Sequence, residues 1–123
     1  MFRQDDFNSN AVARFPTNHI SSFAEINLGD GGVPKLIFTA SPYSPGSSIE
    51  EVVFYNLSSS TKTVQLRLGT VDSLPFVELN LAVGQNTFSK LLKLEPDAEL
   101  FCNSVETLLV DERIGITLFG VNY

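Results

Sequence analysis

The sequence contains no tryptophan and only one methionine, one histidine and one cysteine. Each scarcity excludes a kind of chemistry. A lone Cys102 cannot close an intrachain disulfide. It lies in phase with Ala98 and Leu100, without a neighbouring base to favour the thiolate, and so reads as a small core residue. A lone His19 cannot supply a multi-histidine metal site within one chain. No acid or nucleophile stands in phase with it to complete a triad, so it reads as a surface or capping residue. None of the serines sits in a GxSxG elbow. Gly29-Asp30-Gly31-Gly32 has neither the spacing of a phosphate loop nor a following helix, and Asp30 has no partner acid at calcium-loop spacing. The acid pairs Asp5-Asp6, Glu50-Glu51 and Asp111-Glu112 are adjacent, and adjacent residues of a strand point to opposite faces. The expectation is a protein that is not an enzyme, with no cofactor and no metal.

Basic charge is also scarce. Eight Lys and Arg stand against fourteen Asp and Glu, a net charge of −6. Such a surface gains little from counterion release, which argues against direct nucleic-acid binding. No apolar run approaches the roughly 20 residues that span a bilayer. Residues 1–20 lack the apolar centre of a signal peptide and are interrupted by Asp5 and Asp6. The expectation is no membrane and synthesis in a cytosol, where the sequon Asn56-Leu57-Ser58 carries little weight.

What is present is alternation. The 123 residues fit one domain, 43% of them hydrophobic, with ten Phe for a core of rings and branched aliphatics. From Thr63, Val64, Leu66 and Leu68 alternate with Gln65 and Arg67, the period of a strand with one face buried. Val52, Val53, Phe54 and Tyr55 form a second strand-like run, and Ser58, Ser59 and Ser60 mark a turn between them. The stretch Glu50–Gly69 therefore reads as two strands paired in a hairpin, with the remaining strands packed around it. Further strands are expected at 23–28, 33–40, 77–81, 98–102 and 113–121. Residues 87–94 read as a strand or a short helix, and 103–112 as a strand or a loop with a buried leucine pair. Ala82–Asn86 and Glu95-Pro96-Asp97 read as turns, and Gly120 as a bulge or a close backbone approach. About eight strands at intervals of ~8–12 residues imply an all-β protein, a single antiparallel β-sandwich of jelly-roll type.

Three stretches are candidates for contact. Residues 1–19 carry Phe2, Phe7, Val12 and Phe15 in a polar segment with Pro16. They read as an extended N-terminal arm whose rings dock on a surface, in this subunit or another, ahead of a sandwich domain at 20–123. Ser41–Ser48 holds two prolines, a glycine and four serines, with Tyr43 at its tip as a contact residue or a cover for a core edge. Six acids and no base fall between Glu95 and Glu112, either a solvated rim of loops or a docking edge for a basic partner. A binding module for carbohydrate or a receptor would need aromatic platforms, for which Tyr43, Tyr55 and Phe119 are the candidates.

Residues 33–123 resemble small β-sandwich virion proteins of tailed bacteriophages. The resemblance runs through Asn56-Leu57-Ser58-Ser59-Ser60, then Thr63–Leu68 (TVQLRL), a turn at Val83-Gly84, Leu91–Ser104 (LLKLEPDAELFCNS) and Ile114–Asn122 (IGITLFGVN). It departs at Asp97, where glycine-aspartate is usual, and after Gly120, where an acid is usual. The resemblance implies a non-catalytic structural protein of the virion: a capsid decoration or cement subunit, or a neck, tail or fibre-attachment component. It further implies a homo-oligomer in contact with other virion proteins, built in the host cytoplasm. The contact residues expected on this reading are Phe2, Phe7 and Phe15 in the arm and Tyr43 in the loop.

Overall fold

A computed structural model describes residues 18–43, 45–89 and 92–123. The described residues form nine strands: β1 (Asn18–Asn27), β2 (Lys35–Thr39), β3 (Ser47–Leu57), β4 (Lys62–Leu68), β5 (Pro75–Leu81), β6 (Gly84–Phe88), β7 (Leu92–Leu94), β8 (Glu99–Ser104) and β9 (Arg113–Asn122). They make two antiparallel sheets. The first has the order β1-β9-β3-β6, with β7 extending the β6 edge along β3, and the second has the order β2-β8-β4-β5. The expected all-β sandwich is what the chain adopts.

The pairings are nested. β1 pairs with β9, β2 with β8, β3 with β6 and β7, and β4 with β5. Read with β6 and β7 as one interrupted strand, this is an eight-stranded ribbon folded back on itself and rolled into two sheets, the jelly-roll arrangement. Connections therefore collect at two ends. Loops 28–34, 58–61, 82–83 and 105–112 share one end, called here the loop end. Loops 40–46, 69–74 and 95–98 share the other, where the chain also enters β1.

The core lies between the sheets, because alternation gives each strand one apolar side. Phe54, Ile114, Ile116 and Leu118 come from the first sheet, and Val64, Leu100 and Cys102 from the second, all at 1% exposure or less. Full burial of such a side chain is worth about 1.5–3 kcal/mol. Phe54 meets Phe88 edge to face, with centroids 5.8 Å apart.

Several expectations need correction. Glu50–Gly69 is not a hairpin, because β3 and β4 lie in different sheets and face each other across the core. The three serines turn a corner between sheets instead of joining neighbours. The true hairpin is β4–β5. Of residues 87–94, Thr87 and Phe88 end one short strand and Leu92–Leu94 form another, both paired with β3, in place of the single strand or helix expected. The turn expected over 82–86 shrinks to 82–83, because the Asn86 amide closes it: Nδ2 donates to Ala82 O (2.8 Å) and Oδ1 accepts from Ala82 N (3.1 Å). Residues 105–112 are loop, and of the expected leucine pair only Leu108 is buried, with Leu109 61% exposed.

The β1 strand stops where Leu28–Asp30 forms one 3-10 turn. Asn27 Oδ1 accepts from Gly29 N (2.9 Å) and Asp30 Oδ2 accepts from Asn27 N (2.8 Å), a reciprocal cap. Asp30 is thus a structural residue, also 3.5 Å from Lys35 Nζ.

Candidate interaction surfaces

At the loop end one polar network fixes the geometry. Asn56, 1% exposed, donates Nδ2 hydrogens to Ser60 O (3.0 Å) and Leu81 O (2.9 Å). Its Oδ1 accepts from Ser58 Oγ (2.6 Å). This amide ties the β3–β4 corner to the end of β5. It also leaves the Asn56 sequon no free nitrogen. Beside it Glu112 Oε1 accepts from Leu109 N (2.9 Å) and stands 3.4 Å from Lys62 Nζ, while Oε2 accepts from Ser59 N (3.4 Å). The Leu109 amide is the main cause holding this carboxyl below its ordinary value, aided by Ser59 and Lys62. Partial desolvation pushes Glu106 up, but hydrogen bonds from Thr63, whose N–H lies 2.6 Å away, prevail and hold it low.

Two of the six acids in 95–112 are thus engaged in holding loops, and Lys62 supplies from β4 the base that the local stretch lacks. That pairing was invisible in sequence, since fifty residues separate the partners. What the loop end presents instead is aliphatic: Leu28, Val33, Leu57, Val105, Leu109 and Val110 are all exposed, Val110 at 85%.

At the opposite end Tyr43 is 95% exposed, its backbone N–H donated to Ser41 Oγ (3.1 Å). It covers no core edge. The expected arm residues Phe2, Phe7 and Phe15 lie outside the described residues, as does most of the 1–19 segment. β1 already begins at Asn18, so Asn18 and His19 sit in the first sheet. His19 is exposed opposite Val121.

The outer face of the first sheet carries Phe23 (65% exposed) and Phe119 (39%). Phe23 and Tyr55 flank Gly115, whose missing side chain would touch both, at 3.5 and 3.6 Å. Phe23 was not among the residues singled out from sequence. Its odd position in the β1 alternation was the available signal.

One apolar cleft lies between the sheets, where β5 faces the β6–β7 edge. It measures about 440 Å³ and is lined by Ile49, Val52, Leu66, Phe76, Val77, Leu79, Phe88, Leu92 and Leu100, with Thr87 and Ser89 as its polar members. Val52, Val77, Leu79, Phe88 and Leu92 belong to the core yet are only partly buried. Among the described residues the core is open at this edge.

No group of three or more His, Cys, Asp or Glu suited to a metal occurs among the described residues. Cys102 is a core residue, as its spacing suggested, and burial pushes its thiol up to about 12. No helix among the described residues is long and apolar enough to cross a membrane.

No family model matches the chain, and no curated protein matches it. Among solved structures it is similar to a chain in the acidic stable capsid structure of Helicobacter pylori bacteriophage KHP30. The TM-score is 0.63, the identity 11%, and the match covers 89% of this chain and 90% of that one. At that identity the likeness is one of fold. A chain of the Bacillus endospore appendages, disulfide-linked pili, gives a TM-score of 0.45 at 10% identity over 94% of this chain and 96% of that one, too low a score to carry an argument.

Proposed function

We propose that this protein is a non-catalytic structural subunit of a virion, and within that class a capsid decoration or cement protein that clamps neighbouring capsid proteins. The observation that carries the reading is the fold likeness to a chain of a phage capsid structure over nine-tenths of both chains. A rolled sandwich with exposed aliphatics at one end and an exposed tyrosine at the other suits repeated contacts in a lattice. On this reading Phe2, Phe7, Phe15 and Tyr43 are contacts to a neighbouring subunit or the shell, and the protein is a homo-oligomer in the particle.

Imaging of particles purified from the producing host, with the protein identified by mass spectrometry, tests the proposal. Many copies spread over the shell are expected. A single ring at one vertex would replace the decoration role by a neck, tail or fibre-attachment role. Absence from the particle would remove the virion role. Binding on a glycan array by a protein absent from particles would favour the carbohydrate-binding alternative.

A further inference from the structure

We infer that β1 is an interface strand, pairing antiparallel and edge to edge with β1 of a second copy of this chain, in the register centred on Ser22. This rests on the homo-oligomer proposed above and gives it an interface.

Open sheet edges invite pairing, and folded proteins blunt them with prolines, lysines, bulges and breaks. The other edges here are blunted. β2 follows Pro34 and is bulged between Leu36 and Phe38. β5 starts at Pro75, and its register shifts beside that residue. The β6–β7 edge is divided between two short strands. β1 instead runs ten residues along β9 without a shift and holds no proline, lysine or arginine. Among the described residues no strand pairs with its other side.

The direction of its backbone groups follows from two contacts. The Asn27 N–H goes to Asp30 Oδ2 (2.8 Å) and so does not serve Arg113 across the ladder. The Glu25 carbonyl accepts from Lys35 Nζ (2.7 Å), the one place where a lysine reaches this edge. In an antiparallel ladder both groups of a residue face the same side, and the side alternates along the strand. The N–H and C=O of Phe23, Ser21 and His19 therefore face the open edge as well.

Pairing must join outward residues to outward residues, so a two-fold pair can centre on Ser21, Ser22 or Phe23. Centred on Ser21, Glu25 falls opposite residue 17, outside the strand. Centred on Phe23, His19 falls opposite Asn27, whose N–H is already committed. Centred on Ser22, His19 lies opposite Glu25 of the second copy and Ser21 opposite Phe23, each twice by symmetry. Each such pair exchanges two backbone hydrogen bonds, the Glu25 carbonyl using its second lone pair. On the outer face an imidazole N–H donor meets a carboxylate. Phe23, 65% exposed, lies diagonal to Phe23 of the second copy, within reach of an aromatic ring. The strand is complementary to itself.

Sedimentation equilibrium of the full chain tests this, and a dimer is expected. Mild oxidation of Ser22→Cys should link it covalently, since buried Cys102 stays unreactive. Ser21→Pro removes one outward N–H and leaves the β1–β9 ladder intact, while Phe23→Lys adds a charge to the exposed edge. Each should weaken the dimer about tenfold or more with the circular dichroism of the parent retained. A monomeric parent chain, a dimer that withstands both substitutions, or a dimer cross-linked by Ser21→Cys or Phe23→Cys but not by Ser22→Cys overturns the inference. Particle imaging reads the virion role separately. A monomer found in particles removes the β1 pairing and keeps that role, whereas a β1 dimer absent from particles keeps the pairing and removes the role.

Discussion

Gly120 in β9 has no side chain because the backbone carbonyl of Ser48 in β3 stands where its Cβ would be. The β3–β9 register shifts between Ile49 and Glu51, and this bulge brings the two backbones together. The contact is backbone to backbone in the middle of a sheet, so nothing flexible can yield. Gly120→Ala is expected to destabilise the fold by about 3 kcal/mol or more, the upper range for overpacking. Urea unfolding followed by far-UV circular dichroism measures it. A variant within about 0.5 kcal/mol of the parent would show that the β3 bulge relaxes freely.

Asn56 ties the β3–β4 corner to the end of β5 through one amide. Asn56→Leu would leave the buried carbonyl of Leu81 without this donor, at a cost of about 1–3 kcal/mol, while the exposed Ser60 carbonyl keeps Ser58 Oγ as a donor. Asn56→Asp keeps the acceptor for Ser58 but loses both donors, and is expected to cost at least as much. Denaturant midpoints for the two variants, compared with Ser58→Ala, separate the donor contribution from the acceptor contribution.

Glu112 sets a pH dependence. Its carboxyl is held below the ordinary 4.5 by the Leu109 amide first, then by Ser59 and Lys62. A group whose folded value is depressed adds stability above its unfolded value and loses it as pH falls through the folded one. The thermal midpoint of the parent should therefore exceed that of Glu112→Gln most near neutral pH, with the gap closing in acid below the ordinary carboxyl value. Glu106→Gln should show the same sign. A gap that widens on acidification would contradict the assignment.

Asp97 is a non-glycine residue with positive φ (66°) among the described residues. Ala98 N donates to Glu95 O (3.1 Å), closing a turn with Pro96 and Asp97 at its centre. A positive φ at the second central position is what glycine supplies best. Asp97→Gly should stabilise the protein by up to about 1 kcal/mol, and Asp97→Val should cost about 1–2 kcal/mol. Differential scanning calorimetry of both variants decides the sign.

The strands were legible because Val64 and Leu66, or Ile114, Ile116 and Leu118, state their own buried face, although Leu68, in phase with the first pair, ends β4 exposed. Cys102 was legible for the same reason, since its neighbours set the phase, and Gly120 because a glycine inside a strand marks a bulge or a close backbone approach. Pairing was not. Ser58, Ser59 and Ser60 announce a reversal, and the same local chemistry serves a hairpin or a corner between sheets. What selects the corner is distant: Asn56 reaching Leu81, and Lys62 meeting Glu112. The cleft was hidden too, because Val77 and Leu79 look like ordinary core residues until the gap opposite them is seen. Asp97 was marked in sequence only as a departure from glycine-aspartate, and its backbone conformation gives that departure a physical meaning.

The nested pairing also bears on how the molecule is made. β9 stands between β1 and β3, hydrogen-bonded to both, yet it follows them by some sixty residues or more. During synthesis β1 and β3 leave the ribosome without their shared neighbour; the local β4–β5 hairpin can close early, and β6 and β7 can then cover only the other edge of β3. Until β9 arrives, two strands with open flanks must be kept from pairing with other nascent chains. Crowded production of many copies would make that interval the step most open to chaperone control.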